Sequence, residues 1–301
     1  MIVITAPTGD IGSQVLSNLL KTSREELRVI VRDPAKLADS VRDRVDVVTG
    51  SHGDPDVVDR AFTGADAVFW LVPPDTQAAS LEAAFSGFTR AAAHAFTARG
   101  VGHVVGVSAL GRGTPVADRA GLVTASLAMD DLIADSGVAY RALANPSFMD
   151  NLLRDVSSIR DVGVFTLTVD AARKAPSAAT RDIAAVAAGL LLDRSWTGVD
   201  SVAVLGPEDL SANDMARIMS EVLDRPVRYE RQSLDSLGTQ LAGFGMGHAF
   251  VQGMLDMMKA KDDGLDAGVP RTPHTETPTT FRQWCDEVLK PAVLSTSTGA
   301  K

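Results

Sequence analysis

Near its start the chain reads Ile2-Val3-Ile4-Thr5-Ala6-Pro7-Thr8-Gly9-Asp10-Ile11-Gly12. A run of β-branched residues favours an extended strand. Pro7 and Gly9 then punctuate it, and Ile11, Val15, Leu16, Leu19 and Leu20 recur on one helical face. The stretch is therefore strand, tight turn, helix. The alternation continues outward. Residues 27–31, 45–48, 67–72, 103–107 and 138–143 read as strands. Residues 55–62, with Asp54 as cap, the Ala-rich 77–98, and 120–134 read as helices. Strands separated by helices of this length need crossover connections, so the predicted sheet is parallel and doubly wound, of the α/β Rossmann type.

Past about residue 150 the pattern loosens. Residues 182–193, 213–223, 250–259 and 281–289 read as helices, and 201–205 and 227–230 as strands. The expected organisation is a nucleotide-binding domain over 1–155 and a smaller, mostly helical lobe over 156–294. Within that lobe about 180–206 return to the core, and a Ser/Thr/Gly-rich tail, 295–301, is expected to be disordered.

Composition bounds the function. Of 301 residues, 45% are apolar, which is enough to build a core, and the net charge is −9. So acidic a chain lacks the field that holds nucleic acid. The single cysteine, Cys285, excludes an internal disulfide and a Cys-rich zinc site, and reads as a packed hydrophobe. No stretch approaches the ~20 apolar residues of a membrane span, and no secretory leader is visible, so a cytoplasmic location is expected. No His/Asp/Glu cluster has metal-ligand spacing, so no metal is expected.

The opening turn matches the spacing of a dinucleotide fingerprint, with Ala6 in place of the first glycine. Gly9 would let backbone approach a pyrophosphate, and Gly12 would let helix pack on strand. The N–H groups of Thr8 to Gly12 would meet phosphate oxygens. A plain strand-to-helix turn is the alternative reading. Ala tolerates positive φ poorly, and Pro7 removes one N–H. The second strand ends at Arg32, where an acid would bind the ribose of NAD. Arg32, with Lys36 a turn later, instead suits a 2′-phosphate and hence NADP(H). Asp33 could neutralise Arg32 or reach a hydroxyl itself.

With these residues in view the chain resembles the NmrA-like branch of the atypical short-chain dehydrogenases/reductases, which includes quinone-oxidoreductase-like and isoflavone-reductase-like proteins. Thr5 to Gly12 resembles the family's Thr-Gly-Ala-Thr-Gly-x-x-Gly. Val31 to Lys36, Ala67 to Pro74, Val104 to Ala109, Asn145 to Asn151, Asp182 to Ala184 and Gly206 to Ser211 resemble later family segments. The resemblance implies an NADP(H) site at the strand C-terminal edge. Thr8 to Ile11 would cover the pyrophosphate, and Val72 and Pro73 would line the adenine-ribose side. Ser108 would sit near the nicotinamide ribose, with Phe148 against the nicotinamide. A small-molecule substrate would lie between that edge and the lobe, and the protein would be a monomer or homodimer.

The departures bear on mechanism. Neither of the two tyrosines, Tyr140 and Tyr229, has Lys four residues on, so the usual Tyr-x-x-x-Lys pair is missing. The position that carries Lys in isoflavone-reductase-like proteins is Ser126, and the Arg before Pro in the family motif is Asn145. Candidate chemistry-bearing residues are Ser108, Ser126 and His248. Candidate substrate contacts are Phe148, Met149, Asn151, Phe244, His248 and Met254. Asn151 could instead tie two loops, and the stripe of Phe250, Met254, Met257 and Met258 could simply be core. Adjacent Asp130 and Asp131 read as solvated. The chemistry expected is NADPH-dependent reduction of an apolar, aromatic, quinone-like or enone-like molecule, which needs little help with protons. Two alternatives are a noncatalytic NADP(H) redox sensor acting through a protein partner, and a cyclase or dehydratase on the same scaffold.

Overall fold

The computed structural model describes residues 1–295. The first half runs β1 (Ile2–Ile4), α1 (Asp10–Thr22), β2 (Leu27–Val31), α2 (Asp39–Arg42), β3 (Asp46–Thr49), α3 (Pro55–Phe62), β4 (Ala67–Trp70), α4 (Phe88–Ala98), β5 (His103–Ala109), α5 (Leu122–Asp135) and β6 (Ala139–Asn145). The second half runs β7 (Ser147–Phe148), α6 (Val156–Val162), β8 (Val164–Leu167), β9 (Ala175–Ala178), α7 (Thr180–Leu192), β10 (Val199–Ala203), β11 (Asp209–Leu210), α8 (Ala212–Leu223), β12 (Arg228–Arg231), α9 (Leu234–Gly243), α10 (His248–Asp262), α11 (Phe281–Trp284) and α12 (Lys290–Leu294).

Seven strands form one parallel sheet in the order β10-β6-β5-β4-β1-β2-β3. The order reverses at β1 and β4, which makes a crevice at the strand C-terminal edge. Each face carries its own core. Ile4, Val15, Leu19, Val29 and Phe69 pack with Ile183 and Ala187, so α1 and α7 share one face. Val58, Phe62, Trp70, Phe96, Met129 and Tyr140 fill the other, under α3, α4 and α5.

The expected helix at 77–98 starts late. Residues 71–80 stay irregular, with Pro73-Pro74 at the exit of β4 and the Asp75 carboxylate accepting from Gln77 N at 2.9 Å. Ala83–Gly87 then form one π-helical turn before α4. β10 pairs with β6 at one edge of the large sheet, and α7 packs on the α1 face. The rest of the second half gathers around a separate core of Met149, Phe165, Met219, Phe281, Trp284 and Cys285. It also contains two small sheets, β11-β9-β7 and β12-β8, which the sequence pattern did not reveal. Cys285 is fully buried, as read, and burial pushes its thiol up to about 12. Of the expected disordered tail, 296–301 lie outside the described residues. No helix among the described residues is long and apolar enough to cross a membrane.

Candidate functional site

The first turn of α1 is an open cradle. Gly9 is its N-cap with extended backbone, and no side chain caps the helix. The Gly9 N–H returns to Ala6 O at 3.1 Å, and Ser13 N donates to Gly9 O at 2.9 Å. The N–H groups of Asp10, Ile11 and Gly12 have no acceptor among the described residues. Three unsatisfied donors at the positive end of a helix dipole suit an anion, and the exposed Thr8, Gly9 and Asp10 leave room for one. Ile11 can contribute only its N–H, because its side chain is in the core.

Within the protein itself the strictest glycine requirement falls on Gly12. A Cβ on Gly12 would stand 2.1 Å from Ala6 O, whereas one on Gly9 would make an ordinary 3.5 Å contact. The fold itself demands Gly12. Ala6 does take the left-handed conformation that the family's glycine would favour, with φ +48°. For a residue with a Cβ this costs about 1–2 kcal/mol.

Beyond the cradle, Arg32 and Lys36 are exposed and form no ion pair among the described residues. Asp33 does not neutralise Arg32. Its carboxylate accepts from Ala35 N at 3.1 Å and caps the turn Pro34–Lys36. His52, which the sequence did not single out, is buried nearby, edge-on to both Trp70 and Phe88. Its Nε2 meets Leu71 O at 2.9 Å. Burial, aided by the charge of Arg32, lowers its pKa to about 4, so the ring is neutral. The cation at Arg32 is thus left for a ligand to complement.

Thr5 joins the cradle to the adenine-side loop. Its hydroxyl donates to Phe69 O and accepts from Leu71 N, both at 2.9 Å, holding β1 and β4 together where the chain turns into Val72 and Pro73. Further along that loop, Gly247 N donates to Thr76 O at 2.8 Å and Gln77 Nε2 to Gly245 O at 2.6 Å. These bonds clasp the loop to the turn between α9 and α10.

The β5–β6 edge is built differently. Ser108 and Ala109 pair with Ala144 and Asn145 on the last rungs of the two strands. Ser108 Oγ donates to one oxygen of Asp130, and Tyr140 OH donates to the other at 2.6 Å. All three are buried. Asp130 therefore departs from the solvated reading: it faces the sheet from α5, while its neighbour Asp131 is exposed. Burial outweighs these hydrogen bonds and raises the Asp130 pKa to about 6. Burial and the neighbouring Asp130 raise Tyr140 well above its ordinary value. Asn145 donates to Ser108 O at 3.0 Å and to Leu143 O at 2.8 Å. Its own Oδ1 is buried with no partner. Ser126 is buried one helical turn before Asp130 and makes no hydrogen bond to a described side chain.

The remaining candidates disperse. Phe148 is half-buried against the α1–α7 core, following the edge. Met149 packs in the lobe core with Leu152 and Phe165, which is a packing role rather than a wall of the crevice. Asn151 is exposed, and its side chain makes no hydrogen bond among the described residues. Its neighbour Asp150 makes the tie, accepting from Thr180 N and Oγ1 at 2.9 Å each. Phe244 is 71% exposed at the clasped turn. His248 opens α10, exposed, and Met254 is half-buried on the same helix. Two cavities, of about 550 and 460 Å³, lie elsewhere. One is bounded by Leu81, Thr124 and Lys259 on the outer side of α5, the other by Thr168, Arg231 and Met258. Among the described residues no cluster of three or more His, Cys, Asp or Glu could hold a metal.

This geometry agrees with the chain's relatives. A family profile described as NAD(P)H-binding matches residues 7–194. The chain is 33% identical over 244 residues to a (4-alkanoyl-5-oxo-2,5-dihydrofuran-3-yl)methyl phosphate reductase of Streptomyces griseus, covering 80% of each. It is 28% identical over 269 residues to an NAD(P)H azoreductase of Xenophilus azovorans, covering 89% of this chain and 90% of that one. A solved triphenylmethane reductase from Citrobacter sp., complexed with NADP(H), shares the fold with a TM-score of 0.77. Identity there is 19%, covering 98% of this chain and all (100%) of that one. The chain belongs to the NAD(P)H-binding family that this profile describes, a family of NAD(P)H-dependent oxidoreductases.

Proposed function

We propose that the protein is an NADPH-dependent reductase of an apolar, conjugated small molecule of the quinone or enone class. The observation that carries the cofactor reading is the cradle of three unpaired N–H groups on the same edge as the unpaired Arg32. Asp10, Ile11 and Gly12 would hold the pyrophosphate through their backbone, and Arg32, with Lys36, the 2′-phosphate. Val72 and Pro73 would flank the adenine side and Phe148 the nicotinamide. When bound, the cofactor supplies a hydride. The chain's own part is to orient the acceptor at the β5–β6 edge and exclude water there. With no Tyr-x-x-x-Lys pair in the sequence, acceptors that stabilise the incoming electron pair by conjugation are favoured over simple ketones. The Streptomyces griseus relative's named compound, a dihydrofuranone bearing an alkanoyl group and a methyl phosphate, supports the preference for conjugation.

The test has two arms. NADPH and NADH are titrated against the protein, and NADPH oxidation is followed with a panel of quinones, enones and simple ketones. Tighter NADPH binding with turnover of the conjugated acceptors alone is expected. Equal affinities would remove the role of Arg32. Tight NADPH binding with no turnover of any acceptor would replace the reductase by a redox sensor.

A further inference from the structure

The buried carboxyl of Asp130 has no place in hydride transfer, yet it is bonded to a hydroxyl on the last rungs of β5, at the edge where the acceptor would sit. We propose that Asp130 is the proton reservoir of the reaction and delivers through the Ser108 hydroxyl. The proposal rests on the reductase reading above and specifies the other half of its chemistry.

Four observations support it. The Ser108 backbone is pinned by Asn145 Nδ2 on its carbonyl, so its side chain is held at the edge. Tyr140 OH occupies the far oxygen of Asp130 and leaves the near one to Ser108. The Tyr140 hydroxyl lies against β5: a Cβ on Gly106 would stand 2.3 Å from it, so glycine there makes room for the pair. Finally, Asp130 has a neighbour that reaches solvent. Arg112, half exposed, places Nη2 3.9 Å from its carboxyl and is held there by a 3.1 Å bond to Leu127 O. The other charged or titratable groups facing Asp130 are Tyr140 from β6, Arg112 from the loop before α5, and Asp131 on its own helix. The core shared by α4 and α5 packs apolar groups on this face, among them Ala92, Phe96, Met129 and Ile133, with the buried Thr89 hydroxyl accepting from Trp70 Nε1. The raised pKa keeps part of the carboxyl protonated near neutral pH.

The balance is simple. A bound reduced nicotinamide would supply the hydride, which at the β-carbon of an enone would leave the π electrons on oxygen as an enolate. The Ser108 O–H bond breaks and its proton goes to that enolate. Ser108 Oγ takes the proton of the Asp130 carboxyl, and the carboxylate regains one from water on the Arg112 side. One acceptor, one reduced nicotinamide and one proton become the saturated product and the oxidised nicotinamide.

A cationic triarylmethane dye separates the two halves, because it is neutralised by hydride alone and takes no proton. Asp130→Asn is expected to lower the ratio of enone to dye turnover about 10²-fold, the usual worth of a positioned acid. Ser108→Ala is expected to lower it similarly, with Ser108→Thr restoring it. Should Asp130→Asn fail to fold, the Ser108 pair carries the test. Independently of turnover, infrared spectra of the ligand-free protein should show a protonated carboxyl band at pH 5 that is lost by pH 8 and missing from Asp130→Asn, since the group titrates at about 6. An unchanged enone-to-dye ratio in these variants, or no such band, overturns the proposal and leaves the reductase reading standing. Wild-type protein that binds NADPH but reduces neither acceptor removes both.

Discussion

The two ends of the crevice treat their polar groups in opposite ways. At the β1–β2 end, three N–H donors and the Arg32 guanidinium have no partners among the described residues. At the β5–β6 end, the Ser108, Asp130 and Tyr140 side chains satisfy one another inside the protein. Unpaired donors facing water cost little and are available at once to an anion. A carboxyl taken out of water costs more, but its proton affinity is set by the fold. The first end is built to hold, the second to titrate.

The sharpest way to break the holding end is Gly12→Val. With a Cβ 2.1 Å from Ala6 O, strand, turn and helix cannot keep their spacing. A loss on the order of 3 kcal/mol of stability is expected, with NADPH binding abolished, read by thermal melts and titration. The titrating end gives an effect of similar size with a definite sign. The pKa of Asp130 is raised from 3.8 to about 6, so the native state binds this proton more tightly than the unfolded chain does. Its stability contribution is complete below the unfolded value and is lost as pH rises through about 6. The loss is on the order of 2–3 kcal/mol. Melts of the ligand-free protein from pH 4 to 8 should show this decline, and Asp130→Asn should flatten it.

Arg32→Ala probes the holding end more gently. The Kd for NADPH should rise about 10- to 100-fold, the worth of a charge-assisted hydrogen bond, while that for NADH stays put. The smallest effect belongs to Ala6→Gly. Relieving a left-handed alanine should raise stability by about 1 kcal/mol and leave cofactor binding intact.

The two ends also differ in how far the sequence alone announces them. The cradle is local: strand, turn and helix lie within 22 residues, and the run Ile2 to Gly12 contains every residue that shapes it. The exit to Arg32 is likewise local. The Ser108–Asp130–Tyr140 group joins β5, α5 and β6, and its spacings of 22 and 10 residues have no meaning until the strands are paired. Asp130 beside Asp131 looks like a wet helix face, and only the packing of α5 on the sheet separates them. In the lobe, α6, β8, β9 and α9 have no clear signature in the sequence for a related reason. They are short, and α9 buries no residue fully, so their pattern is set by partners distant in sequence.

Cys285 gives the architecture a chemical dividend. Quinones and enones are electrophiles that add to thiolates, so an enzyme turning them over is exposed to alkylation by its own substrates. The protein's only sulfhydryl lies sealed in the lobe core with its ionisation pushed up to about 12. Near neutral pH almost none of it is in the reactive form. With that thiol sealed away, the protein presents no cysteine thiolate to an electrophilic acceptor of the proposed kind.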